Sequence, residues 1–327
     1  MIDDARAMAA AIALSERGAG RTGGNPNVGC LIVADGRVVG RGWTQPGGRP
    51  HAEAMALAQA GDGARGATAY VTLEPCAHLS ERGPRCCDLL AGAGLGRVVV
   101  ATGDPDPRTN GKGIERLRAA GIAVETGLMA AEARAAMAGF FARAARGRPH
   151  VTLKLALSLD GCIAMADGSS RWITGPDARA HAHVERARAD AIVVGRGTLE
   201  ADRPRLDVRL PGLEDRAPQP VLLSRSADGL PEGWLHAGSA EATDSLPLPG
   251  DRLLVEGGAG AGAAFLKADR VDRLLIYRAP ILIGGGRPGL GDIGLADLPA
   301  AHGRWRLADT RRFGPDGLEV YVRAAPG

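Results

Sequence analysis

Four side chains in the first third of the sequence combine metal-binding and acid-base groups. His51 and Glu53 lie two residues apart, and Cys76 and Cys86 follow with nine residues between them. One imidazole and two thiolates form a set that suits zinc and leaves a fourth coordination position open for water. Zinc lowers the pKa of that water, and Glu53 is close enough along the chain to move protons. The spacing therefore predicts zinc-assisted hydrolysis.

The order H-x-E followed by P-C-x-x-C is typical of zinc-dependent nucleobase deaminases. This chain departs from that motif because nine residues separate its two cysteines, and Cys87 adjoins Cys86 as an alternative third ligand. A purely structural zinc site is the main rival, with His78 or Cys87 completing the tetrahedron. That interpretation gives Glu53 no role.

Composition argues against several other classes of protein. The net charge is +3, aromatic residues make up 3%, and no block of consecutive basic residues occurs, which disfavours nucleic-acid binding. Apolar runs stay below the roughly 18 residues of a membrane span. Acidic residues at positions 3 and 4 disfavour a secretory signal, so we expect a cytoplasmic protein. Five cysteines without such a signal favour metal binding over disulfides.

Strand and helix patterns alternate along the first half of the chain. A hairpin is predicted around Asp35 and Gly36, a dipeptide that tolerates the positive φ angles of a tight turn. Such alternation predicts a parallel or mixed sheet with helices on both faces. After the hairpin we predict helices at 51–61, 87–94, 113–121 and 129–147, and strands at 67–76 (reaching Cys76), 97–104 and 122–127.

The Arg-Gly-Arg-Pro segment at 146–149 interrupts this pattern, which then restarts. We therefore predict two domains, 1–146 and 147–327, both of the α/β class. Residues 225–250 are rich in Gly, Pro and Ser and are expected to form a loop. In the second half we predict strands at 151–161, 191–199, 220–224, 252–260 and 318–324, and a helix at 178–190.

Eight segments make the chain similar to a known family. They are NPNVGC (25–30), PHAE (50–53), TLEPCAHLSERGPRCC (72–87), DPDPRTNGKG (104–113), KLALSLDG (154–161), SSRWITG (169–175), VGRGTLEADRPRL (194–206) and VEGG (255–258). Together they resemble the bacterial bifunctional riboflavin-biosynthesis proteins. The resemblance implies an N-terminal cytidine-deaminase-like α/β/α sandwich and a C-terminal dihydrofolate-reductase-like α/β domain. It also implies zinc-dependent deamination of 2,5-diamino-6-ribosylamino-4-pyrimidinone 5′-phosphate, followed by NADPH-dependent reduction of its ribosyl group to ribityl.

Residue roles in the first domain follow from the same resemblance. His51, Cys76 and Cys86 match the zinc ligands, and Glu53 matches the proton shuttle. Two further residues match positions near the substrate, Asn25 and His78. Without the resemblance, Asn25 is a turn residue before a proline.

Lys154 is the candidate catalytic residue of the second domain. Residues 151–158 alternate between apolar and polar, which places Lys154 on the face opposite the leucines. It is one of three lysines in a chain that otherwise uses arginine, so a compact ammonium is favoured there over a planar guanidinium. A surface lysine on a half-exposed strand is the alternative.

Glycines follow two predicted strands of the second domain, at 195–197 and 257–258, and let backbone N–H groups approach phosphate. Neither completes a dinucleotide-binding fingerprint. The resemblance implies NADPH contacts at Ala156, Trp172, Thr198, Asp202, Ser224 and Gly258. It implies substrate contacts at Ser170, Arg186, Leu206, Arg209 and Glu256. The two arginines could clamp the ribose phosphate, and the alternative is that they are ordinary surface residues.

Two residues depart from the family pattern: Cys162 stands where a basic residue usually follows SLDG, and Arg203 stands where a second aspartate is frequent. The expected binding partner is a small phosphorylated pyrimidine substrate. We expect the chain to bind neither nucleic acid nor a membrane, and the sequence does not decide whether it forms a homo-oligomer. One alternative is a deaminase of another base whose second domain binds without reducing. The other is a zinc-stabilised scaffold without activity.

Overall fold

The computed structural model describes residues 2–324, and the chain divides after Arg148 into two compact units. The boundary expected from the sequence lies between residues 146 and 147. The first unit contains helices α1 Asp4–Ser15, α2 Ala52–Ala60, α3 Cys86–Gly92, α4 Lys112–Ala119, α5 Ala130–Ala136 and α6 Ala138–Arg146. Its strands are β1 Gly29–Ala34, β2 Arg37–Trp43, β3 Thr68–Val71, β4 Arg97–Val100 and β5 Ala123–Thr126.

These strands form a mixed sheet in the order β2-β1-β3-β4-β5. The predicted hairpin joins β1 to β2, and both of its turn residues, Asp35 and Gly36, have positive φ. Strand β1 is antiparallel to β2 and β3, whereas β3, β4 and β5 are parallel. The carboxyl ends of the parallel strands therefore meet at one edge, where the functional loops begin.

Helices α1 and α2 cover opposite faces of this sheet. A Cβ atom at Gly29 would overlap the Ala11 carbonyl of α1, and one at Gly42 would overlap the Ala52 carbonyl of α2. Gly42 pairs with Cys30, the neighbour of Gly29, so the two glycines face opposite sides. The predicted α/β/α sandwich is confirmed for this unit, and glycine is required where each helix approaches the sheet.

Three predicted elements of the first unit differ in the structure, and one of them, the strand predicted at 97–104, ends at Val100. Strand β3 ends at Val71, so Cys76 lies in a loop and not at a strand end. The single helix predicted at 129–147 is divided at Met137, which leaves helical geometry with φ −106° and ψ 27°. The side-chain amide of Asn27 donates to the Ala136 carbonyl at 3.0 Å and so satisfies a backbone group at the break.

The second unit contains a larger mixed sheet in the order β10-β9-β8-β11-β6-β12-β15-β14, and β13 pairs with β7 separately. Its helices are α7 Pro176–Ala187, α8 Arg196–Asp202 and α9 Ala259–Lys267. Its strands are β6 His150–Leu157, β7 Cys162–Ala164, β8 Ala191–Gly195, β9 Gln219–Leu223, β10 Leu235–Ala237, β11 Arg252–Val255, β12 Arg273–Arg278, β13 Arg287–Pro288, β14 Trp305–Phe313 and β15 Asp316–Arg323.

Within this sheet the six neighbouring strands β10, β9, β8, β11, β6 and β12 are parallel. Strand β15 is antiparallel to β12, and β14 is antiparallel to β15. In such sheets, ligands bind beyond the carboxyl ends of the strands. The predicted strand at 191–199 ends at Gly195, and helix α8 begins at the next residue. The predicted loop at 225–250 includes the short strand β10. No helix within residues 2–324 combines the length and apolarity that a bilayer crossing requires.

Candidate functional sites

Three elements of the first unit bring His51, Cys76 and Cys86 together. His51 is the residue before α2, Cys76 lies in the loop after β3, and Cys86 is the first residue of α3. His51 Nδ1 lies 3.2 Å from Cys86 Sγ and 3.6 Å from Cys76 Sγ. All three donor atoms lie within 4.8 Å of one another.

This donor set fits zinc. Tetrahedral zinc with ordinary bonds to nitrogen and sulfur needs N···S separations of about 3.5 Å, close to both distances here. The Cys86 thiol, the His51 ring and the Cys86 backbone N–H hydrogen-bond to Cys76 and lower its thiol pKa, although burial opposes them. A thiolate is the form that binds metal.

Neither residue proposed to close a four-ligand structural site joins the cluster. The Cys87 Sγ is 3.6 Å from Asp88 Oδ1, and its side chain belongs to the hydrophobic core. His78 Nδ1 is hydrogen-bonded to Thr109 Oγ1 at 3.1 Å. Among the residues described here, the group suited to a metal consists of one histidine and two cysteines. A fourth position is therefore left for water or substrate.

Glu53 lies in the first turn of α2 and is only 3% exposed. Its Oε2 is buried and has no hydrogen-bond partner within the described part of the chain. Burial raises the pKa of its carboxyl, and the nearby Cys76 acts in the same direction, while His51 opposes both. A carboxyl with a raised pKa and a free oxygen is suited to taking up and returning a proton.

Glu53, His51 and Cys76 line a cavity of about 240 Å³, whose wall also contains Asn25 and His78. Cys86 does not line this cavity and is connected to it through its contact with His51. The Asn25 amide nitrogen donates to the Thr22 carbonyl at 2.8 Å, so this side chain also stabilises its own turn. The structure thus brings together all six residues that the sequence associates with this site. Their individual roles are taken up under the proposed function.

Sequence reasoning missed Glu74, which holds the cavity wall in place. Its carboxylate accepts backbone N–H groups of Gly111 and Gly113, at 3.0 and 2.9 Å, and of neighbouring residues. It thereby fastens the start of α4 to the loop that carries Cys76. The motif TLEPC contains this glutamate, but only the fold shows that its partners lie 37 and 39 residues away. Asp104, Arg82 and Arg108 also line the cavity without having been predicted.

Two cavities lie at the carboxyl edge of the larger sheet in the second unit. One has a volume of about 1260 Å³ and the other about 280 Å³. Thr198, Asp202, Gly258 and Ser170 line both, so the two cavities adjoin there. Of the other predicted residues, Ser224 lines the larger cavity, whereas Lys154, Ala156, Trp172, Arg186, Arg209 and Glu256 line the smaller one.

Lys154 and Glu256 form the charged centre of the smaller cavity. Lys154 Nζ is 3.9 Å from Glu256 Oε2, and Arg186 binds both oxygens of the same carboxylate at 2.8 and 2.9 Å. Burial alone would raise the pKa of Glu256, but Lys154 and Arg186 outweigh it and hold the pKa at about 2. The carboxylate stays charged and fixes the position of the ammonium.

The two predicted phosphate-binding arginines already have acidic or carbonyl partners. Arg186 pairs with Glu256 and donates to the Asp207 carbonyl, and Arg209 pairs with the Asp207 carboxylate at 2.6 Å. Arg186 is therefore a partly buried cation held by an ion pair and not an ordinary surface residue. Leu206 is also buried, at 3% exposure, and its side chain packs in a core cluster with Ile192. It is not among the described side chains that line either cavity.

Two family models match the chain. The model of the cytidine and deoxycytidylate deaminase zinc-binding region matches residues 1–102. The model of the RibD C-terminal domain matches residues 149–243 and 248–318, about half of the chain. The first match covers His51, Cys76 and Cys86, and the second covers Lys154 and Glu256.

Several relatives match nearly the whole length of the chain. The riboflavin biosynthesis protein RibD of Escherichia coli is 38% identical, over 94% of this chain and 96% of its own, and that of Mycobacterium tuberculosis is 40% identical over 95% of each. A solved structure of Acinetobacter baumannii RibD is 36% identical, with a TM-score of 0.83 over 98% of this chain and 99% of its own. The Thermotoga maritima diaminohydroxyphosphoribosylaminopyrimidine deaminase/5-amino-6-(5-phosphoribosylamino)uracil reductase is 29% identical, with a TM-score of 0.85 over 98% of both chains. This chain therefore belongs to the RibD family of riboflavin biosynthesis proteins.

Proposed function

We propose that the chain catalyses two successive steps of riboflavin biosynthesis. A domain over residues 1–146 hydrolyses the exocyclic amine of 2,5-diamino-6-ribosylamino-4-pyrimidinone 5′-phosphate and releases ammonia. A domain over residues 147–327 then reduces the ribosyl group to ribityl with NADPH. The observation that carries the proposal is the set of His51, Cys76 and Cys86 beside the unpartnered carboxyl oxygen of Glu53.

In the first step His51, Cys76 and Cys86 would hold zinc, which would supply the Lewis acidity that makes water nucleophilic near neutral pH. Glu53 Oε2 accepts a proton as the new C–O bond forms and passes it to the ring nitrogen. It then takes the remaining proton from the new hydroxyl group and delivers it to the amine nitrogen, so that the C–N bond breaks, the carbonyl forms and ammonia leaves. Asn25 and His78, on the wall of the same cavity, bind the pyrimidine.

In the second step NADPH would supply a hydride to C1′ of the ribosylamine, drawn as its ring-opened imine, while a proton from water adds to the imine nitrogen. Thr198, Asp202, Ser224 and Gly258, which line the larger cavity, would hold the cofactor together with Ala156 and Trp172 of the smaller one. Lys154 hydrogen-bonds the reacting end of the substrate. Glu256 keeps the Lys154 ammonium in place, and Arg186 in turn holds the Glu256 carboxylate. Ser170 and Arg209, which line the smaller cavity, complete the substrate contacts, and Leu206 packs in the core behind them.

The proposal is tested by giving purified, zinc-loaded protein the diaminopyrimidinone ribotide and measuring ammonia release and NADPH oxidation separately. We expect ammonia first and a stoichiometric loss of NADPH afterwards. Ammonia without NADPH oxidation would leave a deaminase whose second unit only binds. Absence of both signals would contradict the proposal and favour a structural zinc.

Replacing Lys154 by alanine is expected to slow reduction by about 10²-fold or more, because the reacting end loses its positioned hydrogen-bond donor. Deamination should be unchanged, since Lys154 belongs to the other unit. NADPH oxidation with the deaminated intermediate measures the first effect, and ammonia release measures the second. An equal loss of both activities would indicate a folding defect and not a role in reduction.

Cellular location and assembly belong to the same proposal. All five cysteines are free thiols, as is usual in a reducing compartment, which supports a cytoplasmic enzyme. A homo-oligomer is compatible with it and is tested by light scattering of the purified chain.

A further inference from the structure

One wall of the larger cavity carries two arginines and two serines at the ends of neighbouring strands. Arg196 follows β8, and Ser224, Arg225 and Ser226 follow β9. All four residues line the cavity. Phosphate monoesters are bound by such groups, because guanidinium and hydroxyl donors match the phosphate oxygens.

The Arg196 guanidinium is oriented by contacts across the two strand ends. Its Nε lies 3.3 Å from Ser224 Oγ, and its Nη2 donates to the Ser226 carbonyl at 2.8 Å. Because arginine has five N–H donors, these bonds fix the plane of the group and leave donors for a ligand. Glu200 is 4.0 Å away and 69% exposed, so it neutralises the charge only weakly.

The strand order decides which end of the dinucleotide meets these residues. Hydride transfer must occur beside Lys154, which lies on β6, so the nicotinamide lies at the junction of the two cavities. From β6 the sheet continues through β11 and β8 to β9. With neighbouring strands about 4.8 Å apart, the end of β9 lies about 14 Å along the sheet from β6. The adenosine half of an extended dinucleotide therefore lies against Arg196 and the segment 224–226.

We propose that Arg196, together with Arg225 and Ser226, binds the 2′-phosphate of NADPH and makes the second unit discriminate against NADH. This inference rests on the proposed reductase function and adds the residues that decide cofactor choice. NADPH and NADH differ only in that phosphate, so discrimination requires cations at the adenosine ribose and not at the nicotinamide.

The inference is tested by equilibrium binding of NADPH, NADH, adenosine 2′,5′-bisphosphate and adenosine 5′-monophosphate, measured by fluorescence and calorimetry. For Arg196→Gln we expect NADPH and the bisphosphate to bind about 10- to 100-fold more weakly, as loss of a charged hydrogen bond predicts. Binding of NADH and the monophosphate should change by less than about 3-fold. Arg196→Lys should recover part of the loss, and Arg225→Gln should lower NADPH binding in the same selective way.

Arg287→Gln is the matched control, because Arg287 lines the same cavity from β13. It should alter the NADPH-to-NADH affinity ratio by less than about 3-fold. An unchanged ratio in both the Arg196 and Arg225 variants would overturn the inference while leaving the reductase function intact. Wild-type protein that binds neither NADPH nor NADH would overturn the reductase function, and this inference with it.

Discussion

Replacing Glu53 by glutamine is expected to slow deamination by about 10²- to 10⁴-fold, the usual contribution of a general acid-base group. The amide has nearly the same shape but can no longer take up and return a proton. Because Glu53 Oε2 is buried without a partner among the described residues, the exchange removes no hydrogen bond there. We expect zinc content and reductase activity to be retained, and the melting temperature to be equal or higher. Ammonia release, metal analysis and thermal unfolding measure these quantities.

Glu74→Gln is the matched control, since Glu74 is also 3% exposed and lines the same cavity. Its two oxygens accept backbone N–H groups, so an amide NH₂ would face donors and cost about 1–3 kcal/mol of stability. The melting temperature should therefore fall in Glu74→Gln but not in Glu53→Gln. Deamination at the wild-type rate in Glu53→Gln would remove Glu53 from the mechanism.

Replacing Cys86 by serine is expected to release zinc and to abolish deamination, because a hydroxyl is a far weaker zinc ligand than a thiolate. Cys87→Ser should retain zinc and most of the activity. The two residues are adjacent and each is 1% exposed. Because both thiols are equally buried, a difference in zinc content between the two variants reports the position of the sulfur and not its burial. Zinc content after dialysis and ammonia release are the measurements.

Cys87→Ser is expected to lower stability by about 1–3 kcal/mol, because it places a hydroxyl in an apolar cluster. Its reductase rate should be normal, as should that of Cys86→Ser. Loss of zinc from Cys87→Ser, with retention in Cys86→Ser, would show that the ligand assignment is reversed.

Much of the catalytic chemistry could be predicted from residue types and short spacings. The His51-x-Glu53 pair needs only the start of one helix to place both groups, and α2 provides it. The alternation of residues 151–158 places Lys154 opposite the leucines because strand side chains have a period of two. Local regularities of this kind survive in any fold that contains the helix or strand.

The break at Met137 and the early end of β3 could not be predicted in this way. Both depend on distant partners: Asn27 bonds to Ala136 over 109 residues, and Glu74 bonds to Gly113 over 39. Local propensity alone favours a continuous helix and a longer strand. At each interruption, backbone N–H and C=O groups lose their helix or strand partners, and hydrogen bonds to distant residues replace those partners.

The sequence by itself determined the kinds of ligand, the acid beside them, and the two α/β units. Only the tertiary structure decided between Cys86 and Cys87, because successive side chains at the start of α3 point about 100° apart, and the first of them faces His51. Only the fold pairs Arg186 with Glu256, which lies 70 positions away, and places Arg196 beside Ser224, which lies 28 positions away. Such pairings depend on strand order and helix packing, which residue spacing along the chain does not specify.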